Sequence, residues 1–264
     1  HLIPLLPHRI PVYTAGRPLA PFPFNPFLPP PGMDEHVYIA HVVDVMAEAY
    51  SLGDGAISLP ERALTECYNK GTVTVGAVQS ALEEIPDKGR VHGWKVSAQR
   101  ALGSMAFAQM AGSGSQEEVI ASLVHESAII ELDALGSNAT RFLVPLLCLW
   151  LYRVKLAASV REELGLVLII EEAHHVLHRR PGSGRESVME MLLRQCRELG
   201  IAIVVVDQHP HLISSAALGN TYTSICLNLK DPADLTRAAA LSGVGEEDRR
   251  SLSRLPVGHG VVKL

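Results

Sequence analysis

Two adjacent carboxylates, Glu171 and Glu172, follow the apolar run Leu166 to Ile170 in LVLIIEEAHHVL. A run apolar at every position predicts a strand buried on both faces, and α/β sheets hold ligands at the C-terminal ends of such strands. Paired acids at that edge suit phosphoryl chemistry. Glu171 would hold Mg2+ through its water shell, and Glu172 would orient or deprotonate the water that attacks the γ-phosphate of ATP. The plainer alternative is that both acids begin a helix, where the positive end of its dipole favours them.

The run IAIVVVDQHP, residues 201 to 210, predicts a second strand of the same kind. It brings Asp207 and Gln208 to the edge already occupied by Glu171 and Glu172. Gln208 would hydrogen-bond the γ-phosphate or the attacking water; alternatively, Asp207 caps a helix or turn. Arg194 and Arg197 lie three apart on a predicted helix, Glu186 to Leu199. A permanently charged guanidinium fork matches phosphate oxygens, so either arginine could reach a neighbouring subunit's nucleotide. The alternative is a solvated face on which they pair with Glu190 and Glu198.

Other signals lead elsewhere. A phosphate loop of the form GxxxxGK[ST] is missing, and GSGRES (182 to 187) has Arg185 and Glu186 where Lys and Ser or Thr belong, so it reads as a connection. His174 and His178 stand at i, i+4 but without the HExxH order of a zinc protease, and they read as surface histidines. His209 and His211 flank Pro210 in a predicted loop, with a channel lining as one use for them. Glu131 and Asp133 read as solvating charges at a strand end, and no GxSxG marks a nucleophile.

These residues need a scaffold. The chain has 264 residues, 47% of them hydrophobic, which is enough to bury a large core. A net charge of −5 excludes a global positive field for nucleic acid, leaving local contacts or an assembled pore. Four scattered cysteines with no CxxC pair point to a reducing cytoplasm. The most apolar run, Phe142 to Tyr152, is too short for a bilayer span and fits a buried helix.

Residues 1 to 31 contain ten prolines, which predicts an extended segment with one short strand near Pro11 to Thr14. Phe22, Phe24 and Phe27 imply that it packs on a core. Residues 33 to 125 read as a mainly helical lobe, with helices at Asp34 to Leu52, Pro60 to Tyr68, Val75 to Ile85 and Trp94 to Met110, and a break at Gly112 to Ser115. From residue 126, short β-branched runs at 127 to 132, 166 to 170, 201 to 207, 224 to 229 and 260 to 264 alternate with helices. That alternation predicts an α/β class with a mostly parallel sheet and helices on both faces.

IIEEAHHVL, RQCRELG and the run from VVVDQHPH to RAAALSGV resemble the C-terminal half of HerA-type ATPases, and PVYTAGRP with FNPFLPPPG resembles the segment that follows their phosphate loop. The resemblance spans nearly the whole chain. It implies a RecA-like fold of the HerA/FtsK group, with Glu171-Glu172 ending the Walker B strand and Gln208 as sensor. Members commonly carry Asp-Glu where this chain has Glu171-Glu172. The resemblance further implies ATP and Mg2+ as cofactors, a hexameric ring, double-stranded DNA in its pore, and a nuclease or other effector as partner, antiviral defence included. It places the phosphate loop upstream of His1. A scaffold that licenses an effector and a conjugation or secretion ATPase are the alternatives.

Overall fold

The computed structural model describes residues 10–107, 116–158, 163–178, 186–245 and 247–264. The break at 112–115 and most of GSGRES (182–185) lie outside them. The chain divides into two compact units, His1–Leu166 and Val167–Leu264.

The first unit contains β1 (Val12–Thr14), α1 (Glu35–Tyr50), α2 (Asp54–Asn69), α3 (Val75–Glu84), α4 (Arg90–Phe107), α5 (Gln116–His125), β2 (Ile129–Glu131) and α6 (Ser137–Ala157). Side-chain caps start two of these helices: Asp34 accepts from His36 N and Val37 N, and Thr74 from Ala77 N. Helix α2 begins six residues before Pro60, where the sequence predicted its start. Pro60 cannot donate to the preceding turn, yet the helix runs through it because Ala56, Leu59, Ala63 and Leu64 bury one continuous face. Gly55 fits the same face for a steric reason: a Cβ there would lie 2.2 Å from Cε2 of Trp94 on α4.

The described part of the proline-rich segment, from residue 10 onward, is packed. Phe22, Phe24 and Phe27 are buried, and Phe24 and Phe27 meet Trp150 and Phe142 of α6 at ring distances of 6.4 and 6.0 Å. Prolines donate no N–H, so much of this backbone is held through its carbonyls, while Asn25 N donates to Gln116 Oε1. Tyr38 Oη donates to Pro26 O at 2.8 Å, Trp150 Nε1 to Leu28 O at 2.9 Å, and Tyr68 Oη to Phe27 O. Strand β1 then pairs parallel with β2, Val12 opposite Ile129. No helix among the described residues is long and apolar enough to cross a membrane.

The second unit carries β3 (Leu166–Glu171), α7 (Val188–Gln195), β4 (Ile201–Val206), α8 (Ser215–Gly219), β5 (Ser224–Cys226), α9 (Pro232–Ser242) and β6 (Val261–Lys263). Strands β3 and β4 are hydrogen-bonded neighbours. A capping box of Ser187 and Glu190 starts α7, which ends at Gln195 and tightens into a 3-10 turn, Cys196–Leu199. A small core of Cys226, Ala238, Ala239 and Leu252 packs with Leu235 and Val261.

Two expectations about the strands are corrected. The described residues cover only one face of β3 and β4: Val167 is 47% exposed, Ile169 66%, Val204 43% and Val206 46%. Unbroken apolar runs carry no period from which a covered face can be told from an open one. Strands β5 and β6 pair antiparallel, with Ser224 opposite Lys263. Between them lie α9 and a 3-10 segment, Arg249–Arg254, so the chain turns back once more than in a strand-helix-strand crossover.

Candidate active site at the ends of two adjacent strands

Strand β3 delivers Glu171 as its last residue, and the chain then turns sharply. Glu172 adopts a left-handed backbone, φ 48° and ψ 47°, and a 3-10 turn, Ala173–His175, follows. A side chain with a Cβ is disfavoured at such a φ. It persists only where surrounding contacts determine it, and such strain collects at functional sites. The contacts here are visible: Ala173 is fully buried, and its carbonyl accepts from both Val176 N and Leu177 N. The two acids therefore do not begin a regular α-helix.

Strand β4 delivers the partners. Gln208 Nε2 donates to Glu172 Oε1 at 2.9 Å. Asp207, with a side chain only 4% exposed, accepts from three groups. Its Oδ2 takes His174 N at 2.6 Å and pairs with His174 Nδ1 at 2.9 Å, while Oδ1 takes His209 N at 2.6 Å. Asp207 thus closes an Asx turn into the loop after β4 and also pins the turn after β3. His174 Nδ1 stands 3.6 Å from Glu172 Oε2. Glu172, 46% exposed, faces solvent.

The sequence places Asp207 at this edge, with a cap as the alternative, but its bond to His174, 33 residues away, carries no signal there. A second acid also went unread. Asp234, in the first turn of α9 and 2% exposed, meets His211 Nδ1 at 2.6 Å, His209 Nδ1 at 3.2 Å and His211 N at 3.1 Å. Burial pushes its carboxyl upward, but the hydrogen bonds from His211 and His209 outweigh this and hold it below its ordinary value. The His-x-His spacing of His209 and His211 was the available signal.

The arginines are separated by the structure. Arg194, on α7, makes a two-pronged contact with Glu186, Nε at 3.1 Å and Nη2 at 2.7 Å. Its partner is thus neither Glu190, which closes the capping box and accepts from Ser214 Oγ, nor Glu198. Arg197 sits on the following 3-10 turn, exposed, with no ion pair among the described residues. Glu131 ends β2 in the first unit and is exposed, and Asp133 pairs there with Arg17.

No protein-family model and no curated protein matches the chain in sequence. Solved structures match it in fold. VirB4 of Thermoanaerobacter pseudethanolicus aligns with a TM-score of 0.64 at 14% identity, over 96% of this chain and 75% of its own. The bacterial conjugative coupling protein TrwB aligns with a TM-score of 0.63 at 12% identity, over 96% of this chain and 71% of its own. The same protein in complex with ADP and Mg2+ aligns at 0.59 and 14% identity, covering 93% and 69%. The genome-packaging NTPase B204 of Sulfolobus turreted icosahedral virus 2 matches more weakly, at 0.41 and 15% identity; the match covers 54% of this chain and 64% of that one, under two thirds of its length. In fold, the chain is a RecA-like α/β protein similar to the P-loop ATPases of the HerA/FtsK, VirB4 and coupling-protein type.

Proposed function

We propose that this chain is the catalytic core of a ring-shaped ATPase that moves double-stranded DNA. The observation that carries the reading is the contact between Glu172 and Gln208. It joins a strained acid at the end of one strand to an amide at the end of its neighbour, on a fold shared with NTPases. Glu172 would accept a proton from the attacking water, or orient it. Gln208 would hold Glu172 in place and sense the γ-phosphate by exchanging that hydrogen bond for one to a phosphate oxygen.

Glu171 is exposed at the strand end and offers only oxygen, which suits a hydrated Mg2+. When bound, the ion would neutralise charge developing on the phosphates. The phosphates themselves require a Walker A loop, which this sequence does not contain. Arg197, with no ion pair among the described residues, is the better finger toward a neighbouring subunit in a homohexamer, whereas Arg194 would first have to release Glu186. With a net charge of −5, DNA would be gripped by a few contacts per subunit multiplied around the ring.

A nuclease or antiviral effector working with such a ring remains part of the proposal, as does a cytoplasmic setting, with which four buried cysteines outside any disulfide agree. The likeness to TrwB and VirB4 favours a second reading, a conjugation-type ATPase with the same chemistry. ATP turnover by the full-length protein separates these roles from a scaffold. Stimulation by double-stranded DNA is expected for the motor, and turnover indifferent to DNA would overturn it.

A further inference from the structure

We propose that His209, His211 and Asp234 form a binding site for a late first-row divalent cation of the zinc class. The ion would clamp the loop after β4 to the first turn of α9. The three side chains each bring one donor atom, and these atoms lie within 4.8 Å of one another. Four ligands about 2.0–2.2 Å from one ion stand roughly 3.3–3.6 Å apart in a tetrahedron, so the 3.2 Å pair is near that spacing, and the 2.6 Å hydrogen bond between Asp234 and His211 Nδ1 would open by about 0.7–1.0 Å as the ion replaces its proton.

The electrostatics favour an ion there. Asp234 is 2% exposed, and an ionised carboxylate so nearly removed from water needs compensation. It receives that compensation from two imidazoles, the groups that zinc-class ions accept as ligands. Its Oδ1 also accepts the His211 backbone N–H, which fixes the carboxylate. Beneath His209, Asp207 accepts the backbone N–H at 2.6 Å, an outer-shell contact of the kind that orients metal ligands. Pro210 between the histidines restricts the turn that aims both at Asp234.

Access and selectivity follow. The side chains of His209 and His211 are 50% and 36% exposed, so an ion enters from solvent and a fourth position stays open to water. Two imidazole nitrogens with one carboxylate favour Zn2+, Co2+ or Ni2+ over Mg2+, which separates this site from Glu171. The neighbouring group Glu172, His174 and Asp207 offers one imidazole only. The inference does not depend on ATP hydrolysis.

The test is titration of the full-length protein with Co2+ and with Zn2+ in the absence of nucleotide. One Co2+ per chain with the intense visible absorption of a four-coordinate site is expected, displaced by Zn2+ but not by Mg2+. His211→Ala and His209→Ala should each weaken binding at least about tenfold, while His175→Ala leaves it unchanged. Because loss of the Asp234 contacts could disturb the fold, a second measurement uses the wild-type protein alone. Zn2+ should slow diethyl pyrocarbonate labelling of His209 and His211 relative to His36 and His92, as read by mass spectrometry. No Co2+ bound by the wild type, binding undiminished in folded variants, or equal labelling with and without Zn2+ would each overturn the proposal.

Discussion

Gln208 donates its side-chain amide to Glu172 across 2.9 Å, so the ends of β3 and β4 share a hydrogen bond between 36 positions of sequence. The two residues come from separate loops, and Asp207 is the reason they meet. It holds His174 on one side and His209 on the other, so it sets the path of both turns at once.

Asp207→Asn tests that arrangement. An amide cannot accept on both of its polar atoms, so its NH2 group would face an N–H that now points at a carboxylate oxygen. A loss of about 1–3 kcal/mol is expected for such a buried mismatch. At roughly 2–4 °C per kcal/mol for a chain of this size, calorimetry should show a clear drop in Tm. An unchanged Tm would mean that Asp207 does not pin the turns.

Trp150→Phe addresses the proline-rich segment. The ring contact with Phe24 is retained in kind, but the bond from Nε1 to Leu28 O is lost, and a cost of about 0.5–1.5 kcal/mol is expected. Trp150→Ala should cost about 3–5 kcal/mol, because the side chain is almost fully buried. Equal stability of the Ala and Phe variants in denaturant unfolding would contradict the packing described.

The packing of that segment was legible because aromatics alternate with prolines, a pattern that disordered linkers lack. The placement of Glu171 and Glu172 at the end of β3 was legible because an apolar run stops abruptly at two acids. The openness of one face of β3 and β4 was not, since a strand apolar at every position reads the same whether or not that face is covered. Asp234 was hidden for another reason. An Asp in the first turn of a helix is ordinary, and only the fold shows it beneath His209 and His211. The two arginines looked equivalent by spacing, and the salt bridge from Arg194 to Glu186 distinguishes them.

His41 supplies a pH test in the first unit. Burial holds its imidazole below the ordinary value of 6.5, with Asp44 opposing and Arg153 adding to the effect. The folded state therefore favours the neutral ring. Its stability contribution is complete above the unfolded value of about 6.5 and declines as pH falls from there through the folded pKa. His41→Gln should make the plot of unfolding free energy against pH shallower in that window. A slope identical to that of the wild type would remove His41 as a contributor.

The cysteines should be inert in the native state. Burial pushes the Cys196 thiol up to about 11, and those of Cys67 and Cys226 upward as well, so thiolate is scarce at pH 8. Iodoacetamide is expected to label the folded protein slowly and all four cysteines rapidly in denaturant, as counted by mass spectrometry. Fast native labelling of Cys196 would contradict its burial.

The central claim is that Glu172 activates water for ATP hydrolysis. Steady-state turnover of the full-length protein carrying Glu172→Gln measures it most directly, with nucleotide binding followed in parallel. A fall in kcat of about 10²–10⁴ with ATP binding retained is the predicted result, since glutamine keeps the shape and the contact with Gln208 but cannot take a proton. Turnover close to that of the wild type would contradict the account.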